Sequence, residues 1–185
     1  MPMIGAVIVP HPPLIIPTVG RGQEQQVQAT IDAYRAAARR VAKWEPEVLI
    51  ISSPHAVMYA DYFHISPGTG ASGSMASFGA PQTQLSVKYD AELRQELIHR
   101  AEAAGLQAGT LGERDPSLDH GTFLPLYFLR EARSTCPILR IGLSGFSPLQ
   151  HYQLGQCIAK AVDKLGRRAV FVASGDLSHK LRDDG

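Results

Sequence analysis

Short apolar runs alternate with longer amphipathic segments along the chain. The mostly apolar runs are Ile4 to Val9, Val48 to Ile51, Ile138 to Leu143 and Ala169 to Ala173. Runs of this kind are typical of strands buried on both faces of a parallel sheet. Apolar residues that recur every three or four positions predict helices over residues 23–43, 90–103, 122–132 and 147–165. The alternation predicts an α/β fold, a three-layer sandwich with a largely parallel central sheet and helices on both faces.

The segments between these elements are less regular. Residues 61–81 are rich in Gly, Ser, Ala and Pro, and we expect a flexible loop from Gly68 to Ser74. The segment lacks the Gly-Lys-Ser/Thr ending of a phosphate-binding loop, so phosphate binding is disfavoured. Short strands are predicted at 84–87 and 106–111, and a turn-rich loop is predicted at 115–121.

Length, charge and cysteine content limit the class of protein. The 185 residues fit one domain. With 18 Lys and Arg against 17 Asp and Glu, the net charge of +1 offers no electrostatic basis for binding nucleic acid or an anionic membrane. No apolar run approaches the ~20 residues that cross a membrane. The two cysteines, Cys136 and Cys157, are too few for a disulfide framework, so we expect reduced thiols in a cytoplasmic protein.

The positions of the histidines carry the functional signal. Four of the seven follow predicted strands or lie in the turn-rich loop, namely His11, His55, His120 and His179. Loops after parallel strands emerge at one edge of the sheet, where ligands bind, so these side chains can converge. Neutral imidazole is a common ligand for divalent iron and zinc, and two histidines with one carboxylate leave coordination positions open. Each histidine alone is as readily a solvated or capping side chain, but their joint occurrence favours a metal centre.

Two carboxylates lie beside these histidines. Asp119 precedes His120, and Asp176 precedes His179 by three residues. We expect each carboxylate to orient a metal-binding or acid/base histidine without binding the metal itself. The alternative is that Asp176 is a direct metal ligand. The chain has no Gly-x-Ser-x-Gly or His-Glu-x-x-His motif, which argues against a serine hydrolase or a zinc peptidase of those types.

Four motifs resemble one family in their residues and order. They are Pro10-His11-Pro12-Pro13, Ser53-Pro54-His55, Asp119-His120-Gly121 and Ser174-Gly175-Asp176-Leu177-Ser178-His179. Together they are similar to the catalytic B subunit of class III extradiol ring-cleavage dioxygenases, the LigB-like superfamily. Within it, the chain looks most like the stand-alone AmmeMemoRadiSam branch, which is associated with AMMECR1-type proteins and related to the Memo proteins.

The resemblance implies a role for each matched residue. His11 and His55 would bind Fe(II), with zinc or another divalent metal as the alternative. His179 would act as the acid/base group, and His120 would contact the substrate or a dioxygen-derived group. The third ligand of the family is a glutamate downstream of the last motif, so we expect residues 1–185 to be a single LigB-like catalytic domain that lacks its C-terminal part.

The resemblance also implies the reaction and the partners. The expected reaction inserts dioxygen into the ring of a catechol-type molecule. The two substrates would be a small aromatic diol and dioxygen. A homo-oligomer, a small partner subunit or an AMMECR1 domain would be the macromolecular partner. Two alternatives stay open: a non-catalytic metal-binding or protein-interaction domain of Memo-like type, and a metal-dependent hydrolase. Memo-type relatives carry a cysteine where this chain has Ser178.

Overall fold

Strands and helices alternate through residues 3–175, the part of the chain that the computed structural model describes. The strands are β1 (Met3–Val9), β2 (Val48–Ser53), β3 (Phe63–His64), β4 (Gly70–Met75), β5 (Ala80–Lys88), β6 (Ala108–Gly109), β7 (Ile138–Gly142) and β8 (Ala169–Ser174). The helices are α1 (Pro17–Gly20), α2 (Gln28–Lys43), α3 (Ala91–Ala103), α4 (His120–Glu131) and α5 (Pro148–Leu165). Short 3₁₀ helices lie at Pro13–Ile15, Gln23–Val27 and Ala76–Phe78.

The central sheet has four strands in the order β1-β8-β2-β7, and every pair in it is parallel. The two inner strands, β2 and β8, carry the continuous apolar runs that a doubly covered sheet requires. Because all four strands run in the same direction, their carboxyl ends lie at one edge of the sheet. Val9, Ser53, Gly142 and Ser174 end the strands at this carboxyl edge.

Each face of the sheet is covered by helices, which confirms the predicted three-layer α/β fold. Helices α2 and α4 contact each other on one face, where the rings of Tyr34 and Phe128 stack with centroids 4.3 Å apart. Helices α3 and α5 contact each other in the second apolar cluster, which contains Leu93, Leu97 and Ile158. Each fully buried side chain of this size stabilises the fold by roughly 1.5–3 kcal/mol.

Polar side chains fix where these helices begin. The carboxylate of Asp90 accepts a hydrogen bond from the backbone N–H of Leu93 at 2.9 Å and caps α3. Ser147 and Gln150 form a reciprocal capping box at the start of α5. Helix α4 begins at His120, two residues before the predicted start at residue 122, because Asp119 caps it.

The prediction of a flexible loop over residues 68–74 is wrong. Residues Gly70–Met75 form strand β4, which pairs antiparallel with β5. The glycine content reflects close packing, because a Cβ atom on Gly73 would lie only 2.8 Å from the Cβ of Leu118. The predicted strand at 106–111 is reduced to β6, which pairs with β3.

Within residues 3–175, no helix is both long and apolar enough to cross a membrane.

Candidate metal centre

His11 lies two residues beyond the end of β1, between Pro10 and Pro12. Proline fixes φ and removes backbone donors, so the chain leaves the strand as a stiff irregular segment. The side chain of His11 is buried, with 2% of its surface exposed. A rigid, buried imidazole at the carboxyl edge is preorganised to bind a ligand.

His55 occupies the equivalent position after β2. The last residue of β2 is Ser53, which is fully buried. Its hydroxyl accepts a hydrogen bond from the backbone N–H of His55 at 3.1 Å and donates one to Oδ1 of Asp119 at 2.6 Å. Ser53 therefore connects the His55 loop to the start of α4, while the residue His55 itself is exposed.

Asp119 fixes the first turn of α4. Its Oδ1 accepts a hydrogen bond from the backbone N–H of Thr122, and its Oδ2 accepts from the Thr122 hydroxyl and from Nη2 of Arg140. Burial alone would raise the pKa of Asp119, but the hydrogen bonds from Ser53 and Thr122 and the charge of Arg140 outweigh it and hold this pKa below its ordinary value. The ionised carboxylate thereby positions His120, the first residue of the helix.

The imidazoles of His11, His55 and His120 form one cluster. Each residue offers a donor nitrogen, and the three nitrogens lie within 4.8 Å of one another. The ring centroids of His55 and His120 are 4.0 Å apart, and those of His11 and His55 are 4.8 Å apart. The Nε2 atoms of His11 and His55 are separated by 3.0 Å.

This spacing fits a shared metal ion. Two ligand nitrogens that lie about 2.1 Å from one ion and subtend a right angle at it are about 3.0 Å apart. Imidazole nitrogen is a suitable donor for divalent iron and for zinc. The residues present therefore fit a divalent metal, and within residues 3–175 the clustered donors are all nitrogen atoms.

Hydrogen bonds behind His11 fix which of its nitrogens carries the proton. Nδ1 of His11 lies 3.0 Å from the hydroxyl of Ser174, and that hydroxyl donates to the backbone carbonyl of Gly121 at 2.5 Å. Since a serine hydroxyl has a single proton, Nδ1 of His11 must be the donor toward Ser174. In the neutral ring this arrangement leaves the lone pair on Nε2, the atom that faces His55.

Pro125 explains why the Gly121 carbonyl takes part in this arrangement. In a regular helix the N–H of residue 125 would bond to the carbonyl of residue 121, but proline has no N–H. The Gly121 carbonyl is therefore left without its intrahelical partner, and the Ser174 hydroxyl bonds to it instead. The proline in α4 thus contributes indirectly to the orientation of His11.

Gly121 also allows the cluster to close. A Cβ atom at this position would lie 2.4 Å from the Ser53 hydroxyl, 3.1 Å from Oδ1 of Asp119 and 3.3 Å from Cδ2 of His55. The first of these distances is shorter than real Cβ contacts allow. The absence of a side chain at residue 121 therefore lets α4 approach the ends of β2 and the His55 loop.

The structure brings three of the predicted site residues together and places a fourth beside them. His11, His55 and His120 form the cluster, and Asp119 acts on it through Ser53 and the first turn of α4. Asp176 and His179 lie outside the described residues.

Three residues that support the site were not predicted from the sequence. They are Ser53, Ser174 and Arg140. The available signals were a serine at the end of each inner strand and one charge within the apolar run of β7.

Comparisons with known proteins identify the family of the chain and several relatives. Residues 5–185 match the model of a family described as the catalytic LigB subunit of aromatic ring-opening dioxygenase. A Clostridium acetobutylicum protein whose name states no activity is 35% identical, over 100% of this chain and 41% of its own length. A 2,3-dihydroxyphenylpropionate/2,3-dihydroxicinnamic acid 1,2-dioxygenase of Escherichia coli is 29% identical, over 84% of this chain and 51% of its own length.

A solved structure shares the fold. The crystal structure of an uncharacterised protein from Escherichia coli K12 has a TM-score of 0.51 and 19% identity, and the match covers 80% of this chain and 55% of that chain. This likeness concerns the fold alone. The chain spans about half, or less, of the length of the curated relatives that it matches.

Proposed function

The chain belongs to the family of catalytic LigB subunits of aromatic ring-opening dioxygenases, and on that basis we propose that it is a non-haem iron(II)-dependent extradiol dioxygenase. Its substrates would be an aromatic diol of the catechol type and dioxygen. The observation that carries the proposal is the cluster of His11, His55 and His120 at the carboxyl edge of the sheet. The name of the Escherichia coli relative, a dioxygenase of dihydroxyphenyl acids, supports an aromatic diol as the substrate.

In this proposal His11 and His55 hold the metal through their Nε2 atoms. Ser174 keeps Nδ1 of His11 as a hydrogen-bond donor, and Ser53 holds the loop that carries His55. Iron(II) held by His11 and His55 would supply the chemistry that binds the diol and activates dioxygen. A cleft of about 430 Å³ beside His55 has a volume suited to a small aromatic molecule.

The other two histidines would move protons. His179 would remove a proton from a substrate hydroxyl as the diol binds, a role that rests on the resemblance of the last motif to the family. His120 would face the substrate and donate a hydrogen bond or a proton to a dioxygen-derived group. Asp119 caps α4 and so holds the backbone of His120, the first residue of the helix, in place. The imidazole of His120 therefore extends from a rigid element.

Oxygen uptake tests the proposal. The full chain, loaded with iron(II) under oxygen-free conditions, is mixed with catechol and oxygenated buffer. We expect one molecule of oxygen to be consumed for each molecule of catechol, with the appearance of a ring-opened, absorbing product. No oxygen uptake with catechol or its carboxylated derivatives, in protein shown to contain one iron per chain, would contradict the proposed activity.

The all-nitrogen donor set favours a second candidate as well. Three imidazoles suit zinc, so the same site would serve a metal-dependent hydrolase or a non-catalytic metal-binding or protein-interaction domain of Memo-like type. Metal content separates these candidates from the dioxygenase. Zinc retained in preference to iron, together with no oxygen uptake, would favour them.

A further inference from the structure

The hairpin of β4 and β5 reaches the histidine cluster through the aromatic ring of Phe78. This residue ends the short 3₁₀ helix Ala76–Phe78, which lies at the tip of the hairpin. The ring centroids of Phe78 and His120 are 5.3 Å apart and their planes meet at 68°, which is the edge-to-face arrangement that aromatic rings prefer. An element outside the central sheet therefore contacts one of the three clustered imidazoles.

Phe78 differs from the apolar residues that flank the hairpin tip. Met75 and Ala80 are buried and belong to the first apolar cluster. Phe78 is 38% exposed and, within residues 3–175, lies in neither apolar cluster. A single exposed apolar side chain is ordinary by itself, but the contact with His120 gives this ring a specific neighbour.

Contacts with α1 fix the tip of the hairpin. Nη2 of Arg21, the residue after α1, donates a hydrogen bond to the backbone carbonyl of Gly79 at 2.8 Å. The hydroxyls of Thr18 on α1 and Thr83 on β5 are 2.6 Å apart. Helix α1 follows the segment that carries His11, so the tip is attached to the same part of the chain as this proposed ligand.

A second contact fixes the hairpin against the start of α4. The backbone N–H of Leu118 donates to the carbonyl of Ser72 on β4 at 3.0 Å, and Leu118 directly precedes Asp119, the cap of α4. The hairpin is therefore held from two sides, and the ring of Phe78 extends from a fixed backbone toward His120.

The imidazole of His120 needs such a neighbour because the cap at Asp119 fixes only its backbone. The side chain can still rotate about its own bonds, whereas a group that transfers a proton or a hydrogen bond must be oriented closely. Its ring contacts are His55, with centroids 4.0 Å apart, and Phe78 and His11 at 5.3 and 5.4 Å. Of these three neighbours, Phe78 is the one that carries no ligand atom.

We propose that Phe78 is a positioning residue, whose ring holds the imidazole of His120 in one orientation beside His55. The effect on the orientation of the imidazole does not depend on the reaction. The effect on the rate of ring opening rests on the proposed function, in which His120 donates a hydrogen bond or a proton to a dioxygen-derived group.

Nuclear magnetic resonance of the histidine rings tests the orientation. The full chain carries ¹³C-labelled histidine and is loaded with zinc, a diamagnetic ion, and the signals are assigned with His55→Gln and His120→Gln. We expect a nuclear Overhauser cross-peak between the rings of His55 and His120 in wild type and in Phe78→Tyr, which keeps the ring. The cross-peak should weaken clearly in Phe78→Leu, which keeps an apolar side chain but has no ring. A cross-peak of wild-type intensity in Phe78→Leu would overturn the proposal.

The matched control is an exposed aromatic residue on another element. Tyr152 lies on α5 and is exposed like Phe78. Tyr152→Leu should leave the cross-peak between His55 and His120 unchanged. An equal weakening in Tyr152→Leu would mean that the loss in Phe78→Leu is not specific, and this would overturn the proposal as well.

Single-turnover ring opening of catechol by the iron-loaded chain measures the consequence for the rate. In Phe78→Leu we expect the rate for bound catechol to fall about fivefold, the scale of one edge-to-face contact, with iron content and catechol affinity equal to those of wild type. Phe78→Tyr should retain the wild-type rate. In His120→Gln, the further change Phe78→Leu should cause no additional loss, because Phe78 acts through His120.

Two kinetic results would overturn the positioning role. One is a fivefold loss that persists in the His120→Gln background. The other is weaker binding of catechol at an unchanged rate, which would make Phe78 a substrate contact. If wild type opens no catechol, the proposed function fails, while the cross-peak still decides the role of Phe78. If wild type opens catechol and Phe78→Leu equals it in cross-peak and rate, only the role of Phe78 fails.

Discussion

The Nε2 atoms of His11 and His55 lie 3.0 Å apart, although 44 positions separate the two residues in the sequence. They follow β1 and β2, which lie on either side of β8 in the sheet. Strand β8 contributes Ser174, whose hydroxyl holds Nδ1 of His11. Because β1, β8 and β2 are adjacent and parallel, His11, Ser174 and His55 lie together at the same edge of the sheet.

Removal of the Ser174 hydroxyl should weaken metal binding. In Ser174→Ala, Nδ1 of His11 loses the acceptor that keeps the lone pair on Nε2, and the Gly121 carbonyl loses its donor. We expect the affinity for a divalent metal to fall by about 10- to 100-fold, the usual scale for a residue that orients a ligand. Competition with a chelator of known affinity measures this.

The exposed Ser86 on β5 offers the control for this change. Ser86→Ala should leave the metal affinity unchanged. An unaltered affinity in Ser174→Ala would show that this hydroxyl does not orient the imidazole of His11.

A methyl group at residue 121 should disturb the site and the fold together. In Gly121→Ala the new Cβ would lie 2.4 Å from the Ser53 hydroxyl, so Ser53, His55 or the start of α4 must move. We expect the free energy of unfolding to fall by about 1–3 kcal/mol, as for other overpacked positions, and metal affinity to fall as well.

Gly155 in α5 provides the opposite case, because nothing lies within 4 Å of a Cβ built there. Gly155→Ala should therefore stabilise the protein by up to about 1 kcal/mol through helix propensity. Urea denaturation of both variants measures these changes. A Gly121→Ala protein as stable as wild type would be inconsistent with the close approach of α4 to the His55 loop.

The sequence indicates much of this architecture, but the support of the site depends on contacts between distant segments. Periodicity predicts the four strands of the sheet, and the placement of His11, His55 and His120 after strands or in a loop predicts their convergence. The residues Ser53 and Ser174 resemble ordinary strand-end serines in the sequence. Their roles arise because Asp119 and Gly121 come from a helix that begins more than 60 residues after Ser53 in the chain.

The strand β4 shows the limit of composition as a guide. Its glycines and serines predict a flexible loop, since these residues have low strand propensity. In the structure a glycine is needed at residue 73 because Leu118 packs closely against it. A close approach between two segments cannot be inferred from the composition of one of them.

The pH dependence of stability should report on His64. This imidazole is 1% exposed, and burial lowers its pKa below 6.5; the charge of Glu113 raises the pKa in part, and the charge of Arg140 lowers it further. The folded state then binds fewer protons than the unfolded state below pH 6.5. The stability that depends on neutral His64 is present above that pH and is lost as the pH falls toward the folded-state pKa.

We therefore expect wild type to lose more unfolding free energy than His64→Gln between about pH 7 and about pH 5. Urea denaturation across this range measures the difference. His99→Gln, at an exposed position on α3, should follow wild type. Parallel curves for wild type and His64→Gln would mean that His64 is charged as readily in the folded state as in the unfolded state.

Because the proposed role of His179 is that of an acid/base group, its replacement should slow ring opening without affecting metal binding. In His179→Ala we expect metal content equal to that of wild type and ring opening slowed by about 10²-fold or more, because proton removal from the diol loses its base. Stopped-flow measurement of a single turnover, with iron content determined on the same sample, gives both quantities. A rate equal to that of wild type would remove His179 from the mechanism.

Metal content of the full chain, purified and loaded with iron(II) under oxygen-free conditions, tests the central claim most directly. Elemental analysis is made on wild type, His11→Ala, His55→Ala and the exposed control His99→Ala. The account predicts one iron per chain in wild type and in His99→Ala, and loss of stoichiometric iron in both of the other variants, with His55→Ala still folded because His55 is exposed. Iron that persists in His11→Ala and His55→Ala, or that is absent from wild type, would contradict it.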